Sequence, residues 1–176
     1  KVEMAGFATI EIPGVSVNAG QSTRLPITLL TSQEEEVNVT AQPLLDAKRT
    51  EVVTNFSAKE SVETLPIGRN FTDVVNYAPG VVDGGATGDG NYSIGGSSGL
   101  ENSYIIDGVN ITDSGYGGVG SYSIVYGSLG TGITSQFLEE VQVKSGGFEA
   151  EYGQALGGIV AGTLRSGTND FSGSVS

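Results

Sequence analysis

The chain has 176 residues, and its 20 Asp and Glu against 8 Lys and Arg give a formal net charge of −12, which argues against nucleic acid as a partner. It contains no Cys and no His, and this excludes disulfides, thiolate zinc sites and catalysis by a histidine base. Glycine is abundant, with 28 residues, so we expect a folded domain with an unusual share of loop.

The first 48 residues divide into two segments of different pattern. Residues 7–12 and 24–29 alternate polar and apolar side chains around a turn-rich stretch, which predicts short antiparallel strands of an all-β sandwich. About three strands are too few to close a core alone, so residues 1–33 are predicted to be the remnant of such a sandwich. Residues 34–48 begin with an acidic run and contain a short β-branched stretch that Pro43 stops. They are predicted to form an extended connector.

Two short helices are predicted next, each from its start signal. Ser57 and Glu60 have the spacing of a capping box, and Pro66 is expected to end this helix. Asn70 and Asp73 repeat the spacing at the start of the second helix. Its apolar face is predicted to consist of Phe71, Val74 and Val75.

Glycine is concentrated in the middle third of the chain. Residues 80–132 hold 16 of the 28 glycines and no Lys or Arg. Two long loops are predicted there, at residues 83–91 and 112–132, on either side of a strand at residues 103–111; loops of this length are usually functional. Helical turns at residues 134–140 and 148–156 and strands at 141–143 and 158–164 complete the pattern. The predicted fold class is α+β: a small mixed β-sheet with short helices and long Gly-rich loops.

Two segments are candidates for ligand binding, and neither has all the features that its motif needs. Residues 115–120 match the G-x-G-x-x-G spacing of dinucleotide-binding loops. That motif needs a helix at its end, and strand-like alternation follows here instead, so a glycine loop is the favoured interpretation. The carboxylates of residues 83–91 do not have the spacing of a calcium loop. We therefore predict no metal and no cofactor.

Tyrosines accompany the glycines in both loops. Tyr92 stands at the end of the first loop, and Tyr116, Tyr122 and Tyr126 lie in the second. Tyrosine on a Ser- and Gly-rich scaffold is typical of a recognition surface, because its ring offers contact area with little rotamer entropy to lose. The same rings could equally pack beneath the loops as anchors, and the sequence leaves both interpretations open.

Several segments, in order along the chain, resemble the plug domain of TonB-dependent outer-membrane receptors, in the branch called Oar-like. The segment that resembles the TonB box is Glu35-Glu36-Val37-Asn38-Val39-Thr40-Ala41. The others are Leu65-Pro66-Ile67-Gly68-Arg69-Asn70-Phe71, Ala78-Pro79-Gly80-Val81, Tyr104-Ile105-Ile106-Asp107-Gly108-Val109, Phe148-Glu149-Ala150-Glu151-Tyr152-Gly153, Gly157-Gly158-Ile159-Val160 and Ser166-Gly167-Thr168-Asn169-Asp170-Phe171-Ser172-Gly173. The R-G-P of siderophore-type plugs is replaced here by Lys144-Ser145-Gly146-Gly147, as is usual in this branch.

The resemblance implies a gate, without catalytic residues, inside an outer-membrane β-barrel of a Gram-negative bacterium, with the N-terminus in the periplasm. The periplasmic C-terminal domain of TonB would bind Glu35, Glu36, Val37, Asn38, Val39, Thr40 and Ala41 as an added strand. The two loops would face outward and meet an unknown extracellular substrate through Asp83, Asp89, Tyr92, Asp113, Tyr116, Tyr122 and Tyr126.

The resemblance also implies the domain boundaries. Residues 1–33 look like the last strands of a carboxypeptidase-regulatory-like domain, 34–48 are the TonB-box-like segment and linker, 49–169 form the plug, and 170–176 begin the first barrel strand. The alternative is a secreted adhesive or glycan-binding β-rich domain that uses the Tyr- and Gly-rich loops. A chain that continues into alternating strands would favour the gate.

Overall fold

The structure is a computed structural model, and it describes residues 1–12, 15, 25–29, 51–66, 68, 70–84, 88–167 and 169. Internal contacts divide the chain into two compact units, Lys1–Arg49 and Thr50–Ser176. In the first unit, Val2 and Ile10 form an isolated antiparallel bridge, and none of the described residues there belongs to a longer strand. The linker segment, including residues 35–41, lies outside the described residues.

The second unit is α+β, with a mixed sheet and few short helices, as the sequence predicts. Its strands are β1 (Val52–Ser57), β2 (Val81–Val82), β3 (Gly88–Asp89), β4 (Ser93–Ile94), β5 (Ser103–Ile106), β6 (Val109–Asn110), β7 (Tyr122–Ser123), β8 (Gly127–Leu129), β9 (Leu138–Gly146) and β10 (Ile159–Leu164). Five of them form the main sheet in the order β1-β9-β10-β5-β6. The β5–β10 pair is parallel, and the other neighbours are antiparallel.

The middle of the main sheet is covered on both faces. Ile159 and Val160 are neighbours in β10, so their side chains point to opposite faces, and both are fully buried. Val141 and Val143 bury one face of β9 in the same way. The larger members of the core around them are Phe71, Ile94, Tyr104 and Leu138.

The first predicted helix is confirmed as α1 (Ala58–Thr64), with Ser57 at its N-cap and Leu65, before Pro66, at its C-cap. The predicted capping box is wrong, because the side chain of Ser57 makes no cap hydrogen bond. Ser57 is also the last residue of β1, where it pairs with Glu140 of β9. The chain therefore enters this helix directly from the sheet.

The second predicted helix is a 3₁₀ helix, Phe71–Tyr77. The carboxylate of Asp73 accepts the backbone N–H of Asn70 at 3.2 Å, as predicted for its start. Phe71, Val74 and Val75 are buried together, which confirms the predicted apolar face. Further 3₁₀ turns, at Ser135–Phe137 and Ala150–Tyr152, lie in the two segments where helical turns were expected.

Two strand predictions need correction. The single strand expected at residues 103–111 is the β5–β6 hairpin, because Asp107 and Gly108 both have positive φ, 46° and 78°, and turn the chain back on itself. The strand expected at residues 141–143 is the middle of the nine-residue β9. Pairing with β1 on one side and β10 on the other extends β9 in both directions beyond its apolar centre.

Candidate functional site

The two predicted loops meet in a small sheet of their own. The strand β3 comes from the first loop and pairs in parallel with β8 of the second, and β8 pairs antiparallel with β7. Leu129 of β8 lies opposite Asp89 of β3, and Tyr122 of β7 lies opposite Ser128 of β8. The glycine-rich segments, 40 residues apart in the chain, therefore form one structural element.

The most exposed side chains of this element belong to a hairpin that we call the tip hairpin, residues 121–130. Its turn is held by Ser123, whose Oγ accepts the backbone N–H groups of Val125 and Tyr126, both at 3.3 Å. The tip hairpin exposes large apolar side chains: Tyr122 (53%), Ile124 (95%), Val125 (78%), Tyr126 (77%) and Leu129 (58%). An exposed apolar cluster of this kind is typical of an interaction surface.

Tyr116 anchors the tip hairpin to the loop before it. Its ring centroid lies 4.6 Å from that of Tyr122, and its hydroxyl is 2.8 Å from the carbonyl oxygen of Gly120 and can donate to it. The carboxylate of Asp113 accepts the backbone N–H groups of Gly115 and Tyr116 at 2.7 Å and 3.0 Å. The Asp113 Oδ1 atom thus forms the turn that presents Tyr116.

The tyrosines are therefore divided between the two interpretations left open by the sequence. Tyr122 and Tyr126 are exposed, whereas Tyr116 is half-buried and Tyr92 is partly buried against the core. Tyr104, from β5, is fully buried beneath the loops, and its hydroxyl donates to the carbonyl of Gly90 at 3.1 Å. Burial raises the pKa of Tyr104 to about 12, against a smaller lowering effect of the hydrogen bond from Asn102; nearby Tyr92 and Tyr116 raise it slightly.

Two buried asparagines, which the sequence analysis did not single out for this role, join the two loops to each other and to the main sheet. Asn91 accepts the backbone N–H of Val119 at 2.8 Å. Asn102 donates to the carbonyl of Tyr92 at 2.7 Å and accepts the N–H of Gly158, just before β10, at 2.8 Å. An amide side chain can donate and accept at once, but nothing in the local sequence indicates which asparagines are buried.

The G-x-G-x-x-G segment is part of this packed arrangement and lacks the features of a nucleotide site. It is followed by β7, and no helix begins there. Gly118 has φ 72°, and a Cβ at this position would collide with the side-chain oxygen of Asn91. Close packing against Asn91 thus requires glycine at this position.

The remaining predicted site residues are placed as follows. Asp83 is exposed just after β2, and Asp89 lies on β3, with its side chain outside the described part of the structure. The seven predicted TonB-binding residues also lie outside it. Among the described residues, no three acidic side chains come together as a metal site. In the same ranges, no helix has the length and hydropathy needed to cross a bilayer.

Comparison with known protein families shows which family has this fold. Residues 46–159 match the model of the TonB-dependent receptor plug domain. The chain belongs to this family. The match favours a plug over the alternative of an adhesive domain, and it covers both the tip hairpin and most of the main sheet.

Comparison with individual proteins gives the same result as the family model. The chain is 28% identical over 188 residues to the TonB-dependent transporter Oar of Myxococcus xanthus; the match covers 99% of the chain and 16% of that protein. It resembles the outer membrane transporter YddB of Escherichia coli (25% identity, TM-score 0.51, 65% of this chain and 17% of that one). It also shares its fold with the siderophore receptor PirA of Acinetobacter baumannii (23% identity, TM-score 0.50, 67% and 18%). The chain thus spans about a sixth of the length of these relatives.

Proposed function

We propose that this plug is the gate of an active transporter in the outer membrane of a Gram-negative bacterium, in the Oar-like branch, with its N-terminus in the periplasm. The observation that carries the proposal is the match of residues 46–159 to the plug family. Members of this family depend on TonB and sit inside a barrel. Residues 80–132 contain few charged side chains, which suits a domain whose surface rests against a polar barrel lumen.

The proposed substrate surface consists of the tip hairpin together with Asp83, Asp89 and Tyr92. Tyr116 and Asp113 support the hairpin. Its exposed apolar side chains offer contact area without a folding role. Because residues 80–132 contain no Lys or Arg, this surface is poorly suited to a strongly anionic ligand. The substrate class that fits is a neutral, cationic or apolar-surfaced molecule.

The proposed coupling element is the segment 35–41, which would add as a strand to the sheet edge of the periplasmic C-terminal domain of TonB. Residues 37–41 alternate and contain no proline, as strand addition requires, and Pro43 ends the stretch. The affinity would come from main-chain hydrogen bonds. Residues 1–33, with their alternating pattern, are proposed to end a carboxypeptidase-regulatory-like domain, and residues 170–176 to begin the barrel.

Binding of the purified periplasmic C-terminal domain of TonB tests the coupling element. Val39→Pro removes a backbone donor from the added strand and is expected to weaken binding about tenfold or more, the equivalent of one or more net hydrogen bonds. The matched control Val39→Ala keeps the N–H and should stay within about threefold of the original chain. Unchanged binding by Val39→Pro would contradict the proposal, and so would an equal loss in both variants.

A further inference from the structure

The main sheet contains a buried lysine that the proposed gate function does not explain. Lys144 lies in β9, opposite Val53 of β1 and Ile159 of β10. Only 4% of its side chain is exposed. It also stands in the segment where the sequence departs from the R-G-P of siderophore-type plugs.

Lys144 joins three segments through its ammonium group. The Nζ atom is 3.4 Å from a carboxylate oxygen of Glu51, whose side chain is 10% exposed. It also lies 4.3 Å from the ring centroid of Tyr152, in the 3₁₀ helix after β9. A buried ammonium is tolerated only with such compensation, and removing its counter-charge leaves an unpaired charge in the interior.

Glu51 immediately precedes β1, the edge strand of the main sheet. No residue of β1 is fully buried, so pairing with β9 provides much of its attachment. The first pair, Val52 with Gly146, is separated from the next by an irregularity in register. Tension that enters from the N-terminal side therefore reaches the Glu51 contact before it reaches the regular part of the ladder.

We propose that Glu51, Lys144 and Tyr152 form a latch that holds β1 on the main sheet and sets the tension at which β1 peels away. Only the source of that tension rests on the proposed function, namely a pull on residues 35–41. Glu51 follows Ala41 by ten positions in the sequence, so a pull on the coupling element reaches the latch through a short stretch of chain. Once the pair opens, burial of Lys144 is unfavourable, and the strand separates in one step.

Hydrogen exchange of the full chain tests the latch without any partner. In Glu51→Gln, backbone amides of β1 are expected to exchange about 100-fold faster, because a buried charge has lost its partner, while amides shared by β10 and β5 change by less than about tenfold. Adding Lys144→Met should slow exchange in β1 again, because it removes the unpaired charge. The matched control is Glu139→Gln, which removes an exposed carboxylate 4.0 Å from Arg165 on the same sheet and should change exchange by less than about threefold.

Several outcomes overturn the latch: no acceleration in β1, equal acceleration in β1 and β10, or no recovery in the double variant. Should Glu51→Gln fail to fold, Tyr152→Leu removes only the aromatic face and should accelerate exchange in β1 about tenfold. Equal rates in that variant and the original chain also count against the latch.

A pulling experiment tests the mechanical part. The chain has no native Cys, so handles can be attached through Gln33→Cys and Ser166→Cys. The first extension is expected to be about 25 Å, the length of residues 51–57 at about 3.6 Å per residue, and to occur at lower force in Glu51→Gln but not in Glu139→Gln. A first event elsewhere, or an equal force in both variants, overturns the proposal. If the chain does not bind TonB, the proposed function is refuted, whereas the hydrogen-exchange and pulling results still test the latch.

Discussion

Replacement of Asn102 by alanine is expected to weaken the attachment of the Tyr- and Gly-rich loops to the main sheet. The side chain of Asn102 is 2% exposed. It donates to the Tyr92 carbonyl at 2.7 Å, accepts from the Gly158 N–H at 2.8 Å, and makes a longer contact of 3.4 Å with the hydroxyl of Tyr104. Alanine removes all three contacts and leaves their partners in place.

The expected loss follows from the partners that remain. A buried polar group that loses its hydrogen-bond partner costs about 1–3 kcal/mol. The Gly158 N–H is buried, whereas the Tyr92 carbonyl is only part-buried and can recover a bond to water. The sum is about 2–4 kcal/mol, a large part of the 5–15 kcal/mol that typically stabilises a domain.

Equilibrium unfolding in urea, followed by circular dichroism, measures this loss. With a slope of about 2 kcal/mol per molar urea, the midpoint of Asn102→Ala should fall by about 1–2 M. The control is Asn76→Ala, at an exposed position of the 3₁₀ helix Phe71–Tyr77, which should change stability by less than about 0.5 kcal/mol. A midpoint for Asn102→Ala within about 0.2 M of the original chain, at that slope, would refute the role assigned to this side chain.

Three further predictions concern the same region. Because the pKa of Tyr104 is raised from 10.0 to about 12, the folded chain holds this proton where the unfolded chain releases it. The free energy of unfolding should therefore fall by about 2 kcal/mol from pH 10 to 12, and Tyr104→Phe should show a smaller fall in urea titrations at each pH. In urea unfolding, Gly118→Ala should lower the free energy of unfolding by at least about 1 kcal/mol more than Gly132→Ala, because its Cβ would collide with Asn91. Gly132 has a similar φ of 66° but open space around it, so equal losses would show that backbone strain alone decides. Tyr126→Ser should leave the urea midpoint unchanged, because the ring is 77% exposed, and a clear decrease would mean that the tip hairpin belongs to the core.

Short sequence patterns correctly predicted the elements that depend on interactions within a few residues. Pro66 correctly predicted the end of α1, and Asn70 with Asp73 correctly predicted the start of the following 3₁₀ helix. The apolar run at residues 158–164 is β10, where both faces of the sheet are covered. These features depend on capping residues and on apolar spacing within a few residues, and both can be read directly from the sequence.

Long-range pairing explains where local patterns misled. Ser57 has the letters of a capping box, but it is held in β1 by pairing with β9, and its side chain makes no cap bond. The tyrosines illustrate the same limit. Tyr104 and Tyr126 are chemically identical, yet one is buried under the loops and the other is exposed at the tip. Spacing in the sequence does not distinguish them, because burial depends on which segments pack above them.

The sequence by itself determined the α+β class, the family resemblance, the concentration of glycine in two loops and the absence of cysteine and histidine chemistry. The tertiary structure alone decided that these loops join in one small sheet, that Asn91 and Asn102 hold them, and that Lys144 is buried against Glu51 and Tyr152. The physical reason is that composition and periodicity are local properties, whereas each of these contacts joins residues that only the folded sheet brings within hydrogen-bonding or van der Waals distance.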